Sequence, residues 1–258
     1  MENNFYNIFD SHAHYDDKWF DEDREVLLSS MKENGVCGIV NNSVDLKTAK
    51  VCIDFCEKYD FMYGAVGFHP ENLEDMPNDY LDRVAELLKH KKIVAVGETG
   101  LDYHWDISKD LQNRVFEEQI KLSLDVNMPI IVHDREAHGD TLNYLRKYKP
   151  KALVHCFSGS VEMMREVMRY GGYISLGGVV TFKNARHSVE VAKEVPIDRL
   201  LLETDCPYMS PVPFRGKRCD STMIKYTAEK IAEIRNTDVQ ELLNITAENA
   251  KRFYGIDD

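Results

Sequence analysis

The sequence predicts an α/β protein built as a single (β/α)8 TIM barrel with extra C-terminal helices. Three observations carry this prediction: eight short apolar runs recur along the 258 residues, amphipathic stretches separate them, and no Pro/Ser-rich linker, internal repeat or low-complexity segment breaks the alternation. Continuous apolar strands alternating with helices belong to a parallel sheet covered on both faces. Eight such units suggest that the sheet closes, and residues 1–258 read as one domain. An open doubly wound sheet is the alternative arrangement of the same elements.

The apolar runs, in order, are YNIFDSH (6–12), GVCGIVNN (35–42), FMYGAVGF (61–68), KIVAVGE (92–98), PIIVHD (129–134), KALVHCF (151–157), GYISLGG (172–178) and RLLLETD (199–205). The intervening DREVLLSSMKEN, DLKTAKVCIDFCEKY, DYLDRVAELLKH and DLQNRVFEEQIKLSLDVN open on Asp and space their apolar residues three and four apart, as helices do. After the last strand, TMIKYTAEKIAEIRN and DVQELLNITAENAKRFYG predict two terminal helices, the second stopped by Gly255.

Composition narrows the class. With 43% hydrophobic and 29% charged residues the chain has material for a large core and is not a disordered segment. The net charge of −12 repels nucleic acid and anionic membranes at long range, so a polyanionic substrate has to be held locally, by metal or a few arginines. Cys37, Cys52, Cys56, Cys156, Cys206 and Cys219 form no CxxC pair and read as reduced thiols of a cytoplasmic protein. The start MENNFYNIFD lacks the pattern of a secretory leader, and no apolar run approaches the ~20 residues of a membrane span.

Polar residues that look out of place gather at one end of these units. His12 and His14 close the first strand, Glu98 the fourth, His133 the fifth, His155 the sixth and Asp205 the eighth. In a parallel barrel these are the C-terminal ends, where active sites are built. The period of two in HAH turns both imidazoles to one side. Any one of these histidines has an ordinary reading as a hydrogen-bonded core residue; six polar intrusions at equivalent positions do not, and together they form a metal set. Three or four ligands suit one catalytic zinc, whereas six, with a carboxylate able to bridge, suit two divalent ions and hydrolysis. The histidine–carboxylate set accepts Mg²⁺, Mn²⁺, Zn²⁺ or Fe²⁺. GxGxxG, Walker A and GxSxG motifs are missing, which removes dinucleotide enzymes, P-loop NTPases and serine hydrolases from the field. His90, His138 and His187 fall on helical or loop patterns and read as surface residues, while Asp102 and His104 fall on what reads as a loop after Glu98, supporting a ligand or lining the substrate. Gly97 is expected to let the backbone pass close beneath the ions.

These residues sit in DSHAHYD, AVGFHPEN, AVGETGLDYHWD, PIIVHDREAHGDTLNYL, VHCFSGS, YISLGGVVTFKN and LLLETDCPYMSPVPFRGKRCDS, a series that closely resembles the TatD family of metal-dependent deoxyribonucleases among the amidohydrolase-like barrels. HxH alone is a weak signal, but GETGLDY, HCFSGS and LLETDCPY in this order are specific. The resemblance implies that His12, His14 and Asp205 hold one ion, that His133 and His155 hold the other, and that Glu98 bridges them. It also implies that His69 and Arg215 contact substrate phosphate; Arg135, next to a ligand in HDRE, is a further candidate phosphate contact by its position. Asp205 becomes the acceptor for the proton of the attacking water, with Glu98 the other catalytic carboxylate. The expected reaction is 3′ to 5′ exonuclease cleavage of DNA, on single-stranded ends, with no membrane and no obligate protein partner. Hydrolysis of an ester or amide, such as removal of a D-amino acid from transfer RNA, is the second reading, and a non-catalytic metal-binding scaffold the third. The segment Cys219, Asp220, Ser221 departs from the family pattern after GKR, and its expected bearing is on substrate preference.

Overall fold

The computed structural model describes residues 5–257. Strands and helices alternate as β1 (Ile8–Ala13), α1 (Arg24–Ser30), β2 (Val36–Asn42), α2 (Leu46–Lys58), β3 (Met62–Val66), α3 (Tyr80–Leu87), β4 (Ile93–Asp102), α4 (Lys109–Asp125), β5 (Ile130–Arg135), α5 (His138–Tyr148), β6 (Ala152–Val154), α6 (Val161–Arg169), β7 (Tyr173–Leu176), α7 (Arg186–Glu194) and β8 (Leu200–Leu202). Two helices follow, α8 (Ile224–Arg235) and α9 (Val239–Tyr254). The eight strands lie in chain order, every neighbouring pair parallel. The sheet closes just beyond the end of β8, where Asp205 N–H donates to His12 O at 3.0 Å and His14 N–H donates to Cys206 O at 2.8 Å. The predicted (β/α)8 barrel with its two terminal helices is therefore the observed architecture. Among the described residues no helix is long and apolar enough to cross a membrane.

Local chemistry sets the element ends. The Asp45 carboxylate accepts from Thr48 N–H at 2.7 Å while the Thr48 hydroxyl accepts from Asp45 N–H at 3.1 Å, a reciprocal cap that starts α2. Asp238 caps α9, which ends at Gly255 with φ +68°, a left-handed stop that glycine adopts at little cost.

The apolar residues form two shells. Outside the strands, Val36, Ile39, Val66, Ile130 and Leu202 pack against Leu28, Cys52, Val84, Phe116 and Ile231 of the helices. Inside, Phe9, Val40, Ala65, Ala95, Ile131, Leu153, Tyr173 and Leu201 supply one residue from each strand, and Ala247, Ala250, Phe253 and Tyr254 of α9 join them. The second terminal helix is thus part of the barrel core, and the Tyr254 hydroxyl donates to Ser11 O at 2.7 Å.

One strand differs from its sequence reading. The fourth run was expected to end at Glu98, but β4 continues to Asp102, pairing Thr99, Gly100, Leu101 and Asp102 with Val132, His133, Asp134 and Arg135. Thr-Gly-Leu-Asp reads as a loop because Gly and Asp are poor strand formers. The ladder tolerates them through a bulge between Val96 and Thr99 and an unusually close approach of the two backbones. A side chain on Gly100, at φ +143°, would place its Cβ 2.0 Å from His133 O. Gly97 serves the same strand contact: its Cβ would lie 2.9 Å from Ile131 O, so its missing side chain makes room for β5. In the opposite sense β6 and β8 are shorter than the runs that predict them, stopping at Val154 and Leu202. Cys156 (φ +42°) and Asp205 (φ +56°) turn the chain out of the sheet there.

Candidate metal centre

The strand ends bring the six expected ligands together around one carboxylate. Glu98 sits within β4 with its side chain 3% exposed. Its Oε2 lies 3.2 Å from His12 Nε2 and 3.3 Å from His14 Nε2. Its Oε1 faces the other way, 2.8 Å from His155 Nε2, 3.0 Å from His133 Nδ1 and 3.3 Å from His69 Nε2. Asp205 Oδ1 completes the first set, 3.5 Å from His14 Nε2 and 3.8 Å from His12 Nε2.

This arrangement fits divalent cations. The two Nε2 atoms of His12 and His14 are 3.0 Å apart and lie within 3.3 Å of the same Glu98 oxygen, so all three can donate to one cation. Five imidazole nitrogens crowd two carboxylates, and a neutral imidazole has a single N–H to give. Three triads have ligand atoms all within 4.8 Å of one another: His12, His14 and Glu98; His12, His155 and Asp205; His69, Glu98 and His133. Within these triads His69, expected at the substrate, stands among the potential ligands, and His12 belongs to both sets on its side.

The electrostatics point the same way. Burial would raise the Glu98 carboxyl, but the facing His155, His69 and His12 imidazoles outweigh it and hold Glu98 well below the usual carboxylate range. Burial, reinforced by neighbouring imidazoles, lowers His12 and His69, favouring the neutral form that can ligate a metal. Burial also opposes charge on His155 and His14, but carboxylates outweigh it and push both upward: Glu98 and Glu203 at His155, Asp205 and Glu98 at His14. Such dependence on nearby charge is expected where cations and protons compete for the same nitrogens.

Behind the ligands stand Asp102, read from the sequence as supporting a ligand or lining the substrate, and Glu203, Gln112 and Gln119, which the sequence reading did not single out. Asp102, expected in a loop, is buried on β4 and its Oδ2 lies 3.0 Å from His133 Nε2, so the ring is held by Asp102 on one nitrogen while the other faces Glu98. That arrangement orients a ligating histidine and raises its basicity. Glu203, fully buried, accepts from Cys156 N–H at 2.7 Å and from the Ser175 hydroxyl, and lies 3.8 Å from His155 Nδ1. Two buried glutamines of α4 hold the strand ends. Gln112 accepts from Asp102 N–H and donates to Asp102 O, both at 2.8 Å; Gln119 accepts from Phe68 N–H at 2.8 Å and donates to Phe68 O at 3.0 Å, next to His69. Their seven-residue spacing on the face shared with Val115 and Phe116 was the available signal: amides on the buried side of a helix need partners.

Beneath His12 lies a second polar network. Asp10 accepts from Thr204 N–H at 3.0 Å, from the Thr204 hydroxyl at 2.6 Å and from the Ser221 hydroxyl at 2.7 Å, and burial pushes its carboxyl up to about 7. Ser221 N–H donates to the Tyr15 hydroxyl at 2.9 Å. The departure at 219–221 therefore lies in a buried anchor under β1: Cys219 and Ser221 are buried, and Asp220 caps the turn into α8.

The ligand set opens into a cleft of about 680 Å³ whose lining includes Asp16, Asp17, Glu71, Asp134, Trp105, Phe157, Tyr208 and Met209. Arg135 lines this cleft, but Arg215 does not: it sits on an exposed loop with its guanidinium 3.7 Å from the centroid of the Phe182 ring. His104 faces outward, paired with Glu136 at 3.0 Å. His138, read from the sequence as a surface residue, is half-exposed and pairs with Asp134 at 2.9 Å.

A sequence model of TatD-related DNases matches residues 9–255. The metal-dependent hydrolase YabD of Bacillus subtilis is 46% identical over 253 residues, covering 96% of this chain and 99% of its own. A human protein named as a 3′-5′ RNA nuclease is 28% identical over 96% of this chain but only 35% of its own length. Among solved structures, the TatD homologue YJJV of Escherichia coli superposes with a TM-score of 0.90 at 27% identity, covering 97% of this chain and 99% of that one.

Proposed function

We propose that this chain, which belongs to the TatD family of metal-dependent hydrolases, is a two-metal phosphodiesterase that removes nucleotides from the 3′ end of single-stranded DNA. The observation that carries the reading is the division of Glu98: one oxygen faces His12 and His14, the other faces His133 and His155. A carboxylate shared in this way suits a pair of ions, with His12, His14 and Asp205 on one side and His133 and His155 on the other. When bound, such ions supply a water of lowered pKa and neutralise charge on the attacked group. The family description as DNases and the name of the human relative support a nucleic acid substrate.

The chain's own residues do the rest. Asp205 Oδ1, beside His14 in a side chain 16% exposed, takes the proton of the attacking water. His69 and Arg135, both lining the cleft, hold the scissile phosphate. Arg215, outside that lining, meets the strand beyond the cleft. The cleft has six lining carboxylates (Asp16, Asp17, Glu71, Glu98, Asp134 and Asp205) against the single guanidinium of Arg135, so an anionic substrate depends on the cations for binding as well as for chemistry. Incubation of the purified protein with 3′-labelled single-stranded DNA and Mg²⁺, Mn²⁺ or Zn²⁺ tests the reading. Release of nucleotides that disappears in His133→Ala supports it, and no release with any of the three metals overturns it.

The same acidity favours a second reading, in which the substrate is an ester or amide such as a D-aminoacyl-transfer RNA. An acidic cleft accommodates a cationic amine, and an activated water attacks a carbonyl as well as a phosphorus. Parallel assays on DNA and on charged transfer RNA separate the two.

A further inference from the structure

Trp105 is half-exposed, at 48%, on a segment that is otherwise tightly fixed, and it faces the cleft that holds Asp205 and Glu98. The chain is anchored before it at Asp102–His104 and after it at Ile107, whose N–H donates to Trp105 O at 2.9 Å and whose O accepts from the Gln112 side chain at 3.2 Å. Tyr103 N–H donates to Arg135 O at 2.9 Å, His104 N–H donates to the Asp102 carboxylate at 2.9 Å, and Gln112 binds both backbone groups of Asp102. The Arg135 guanidinium lies over the Trp105 ring, 5.8 Å from its centroid, and the His104 ring meets it edge-on at 5.0 Å. A large aromatic ring left in water on a rigid support adds little to the core, and such rings serve well as platforms for flat ligands. The other exposed aromatic lining the cleft among the described residues, Tyr208, is already engaged, its hydroxyl donating to Asp17 at 2.8 Å and its ring tilted against Trp19.

We infer, resting on the nuclease reading above, that Trp105 is a base-stacking residue: a purine or pyrimidine packs on the indole while Arg135 beside it takes the attached phosphate. Pairing a ring with a guanidinium matches a nucleotide, which carries a π-face and an anion a few bonds apart. It also gives the enzyme a preference for unpaired ends, since a base inside a duplex has no free face to offer.

The test compares dAMP with 2-deoxyribose 5-phosphate, which has the same anion and no base, by isothermal titration against the full chain in Mg²⁺. The native protein is expected to bind dAMP roughly tenfold or more tightly than the sugar phosphate. Trp105→Ala should remove that difference, and Trp105→Phe should keep most of it. In a Trp19→Phe background, dAMP should quench the remaining tryptophan fluorescence and the sugar phosphate should not. Absence of the difference in the native protein, or its survival in Trp105→Ala, overturns the inference. Failure to cleave DNA with the dAMP preference intact overturns the nuclease reading and leaves the base site standing.

Discussion

The two ends of the barrel are made from the same strands and are built on opposite principles. At the closed end Phe9, Val40, Tyr173 and Leu201 meet Phe253 and Tyr254 of α9 in an apolar plug. At the other ends of the barrel strands, at the mouth, His12, Glu98, His155 and Glu203 are just as buried but polar. Burial is therefore not what separates stability from function in this molecule. The plug gains from removing hydrocarbon from water, whereas the mouth concentrates charges that cost energy unless something pairs with them. The contrast predicts that substitutions at one end cost folding and at the other end cost metal and activity.

The sharpest way to break this contrast is Glu98→Ala. Loss of the carboxylate that faces both ligand sets should lower hydrolysis by about 10³-fold or more and empty the site of metal, with the barrel still folded. Activity assays, elemental analysis and circular dichroism on the same preparation check it; a variant that keeps its metal contradicts the shared role of Glu98. Phe253→Ala is the opposite case. It should cost about 3–5 kcal/mol of stability through the cavity it leaves at the closed end, while the folded fraction keeps its metal content and turnover. Denaturant unfolding together with activity per folded molecule measures both halves.

Asp102→Asn tests the support behind His133. With the ring no longer held by a carboxylate, metal affinity should weaken by about 10- to 100-fold, read by competition with a chromogenic chelator, with little change in unfolding. Chelation of the native protein should lower Tm and reloading should restore it, because ions that bind only the folded chain stabilise it by mass action. The smallest effect is expected at Ser221→Ala, which removes one donor to Asp10 beneath the site. About 1–3 kcal/mol of stability should be lost, with metal affinity unchanged. A large change in metal affinity there would show that the anchor under β1 and the ligands above it act as one unit.

Much of this architecture is written in local pattern. Runs such as IVAV at 93–96 and LLL at 200–202 are long enough and apolar enough to be strands buried on both faces, and HAH places two imidazoles on one side whatever the rest of the chain does. Other features have no local signature. The strand assignment stops at Glu98 because Thr-Gly-Leu-Asp is unfavourable in isolation, and only the close approach of β5 through Gly97 and Gly100 keeps it in the sheet. That extension turns Asp102 from a loop residue into the partner of His133. Arg215 has the motif of a phosphate contact, yet its loop carries it onto Phe182, outside the cleft lining.

Residue order and type predicted the alternation of strands and helices, the strand ends at which polar side chains gather, and the six candidate ligands, because strand and helix periodicity are properties of neighbouring residues. Which oxygen of Glu98 faces which histidines, which carboxylates brace the rings, that His69 comes within 3.3 Å of Glu98 and that α9 seals the opposite end were decided by the folded structure. Each depends on residues from distant strands arriving within about 3 Å of one another, as His133 does with Asp102 at 3.0 Å across 31 positions of sequence. That proximity comes from closing the sheet, and no single segment contains it.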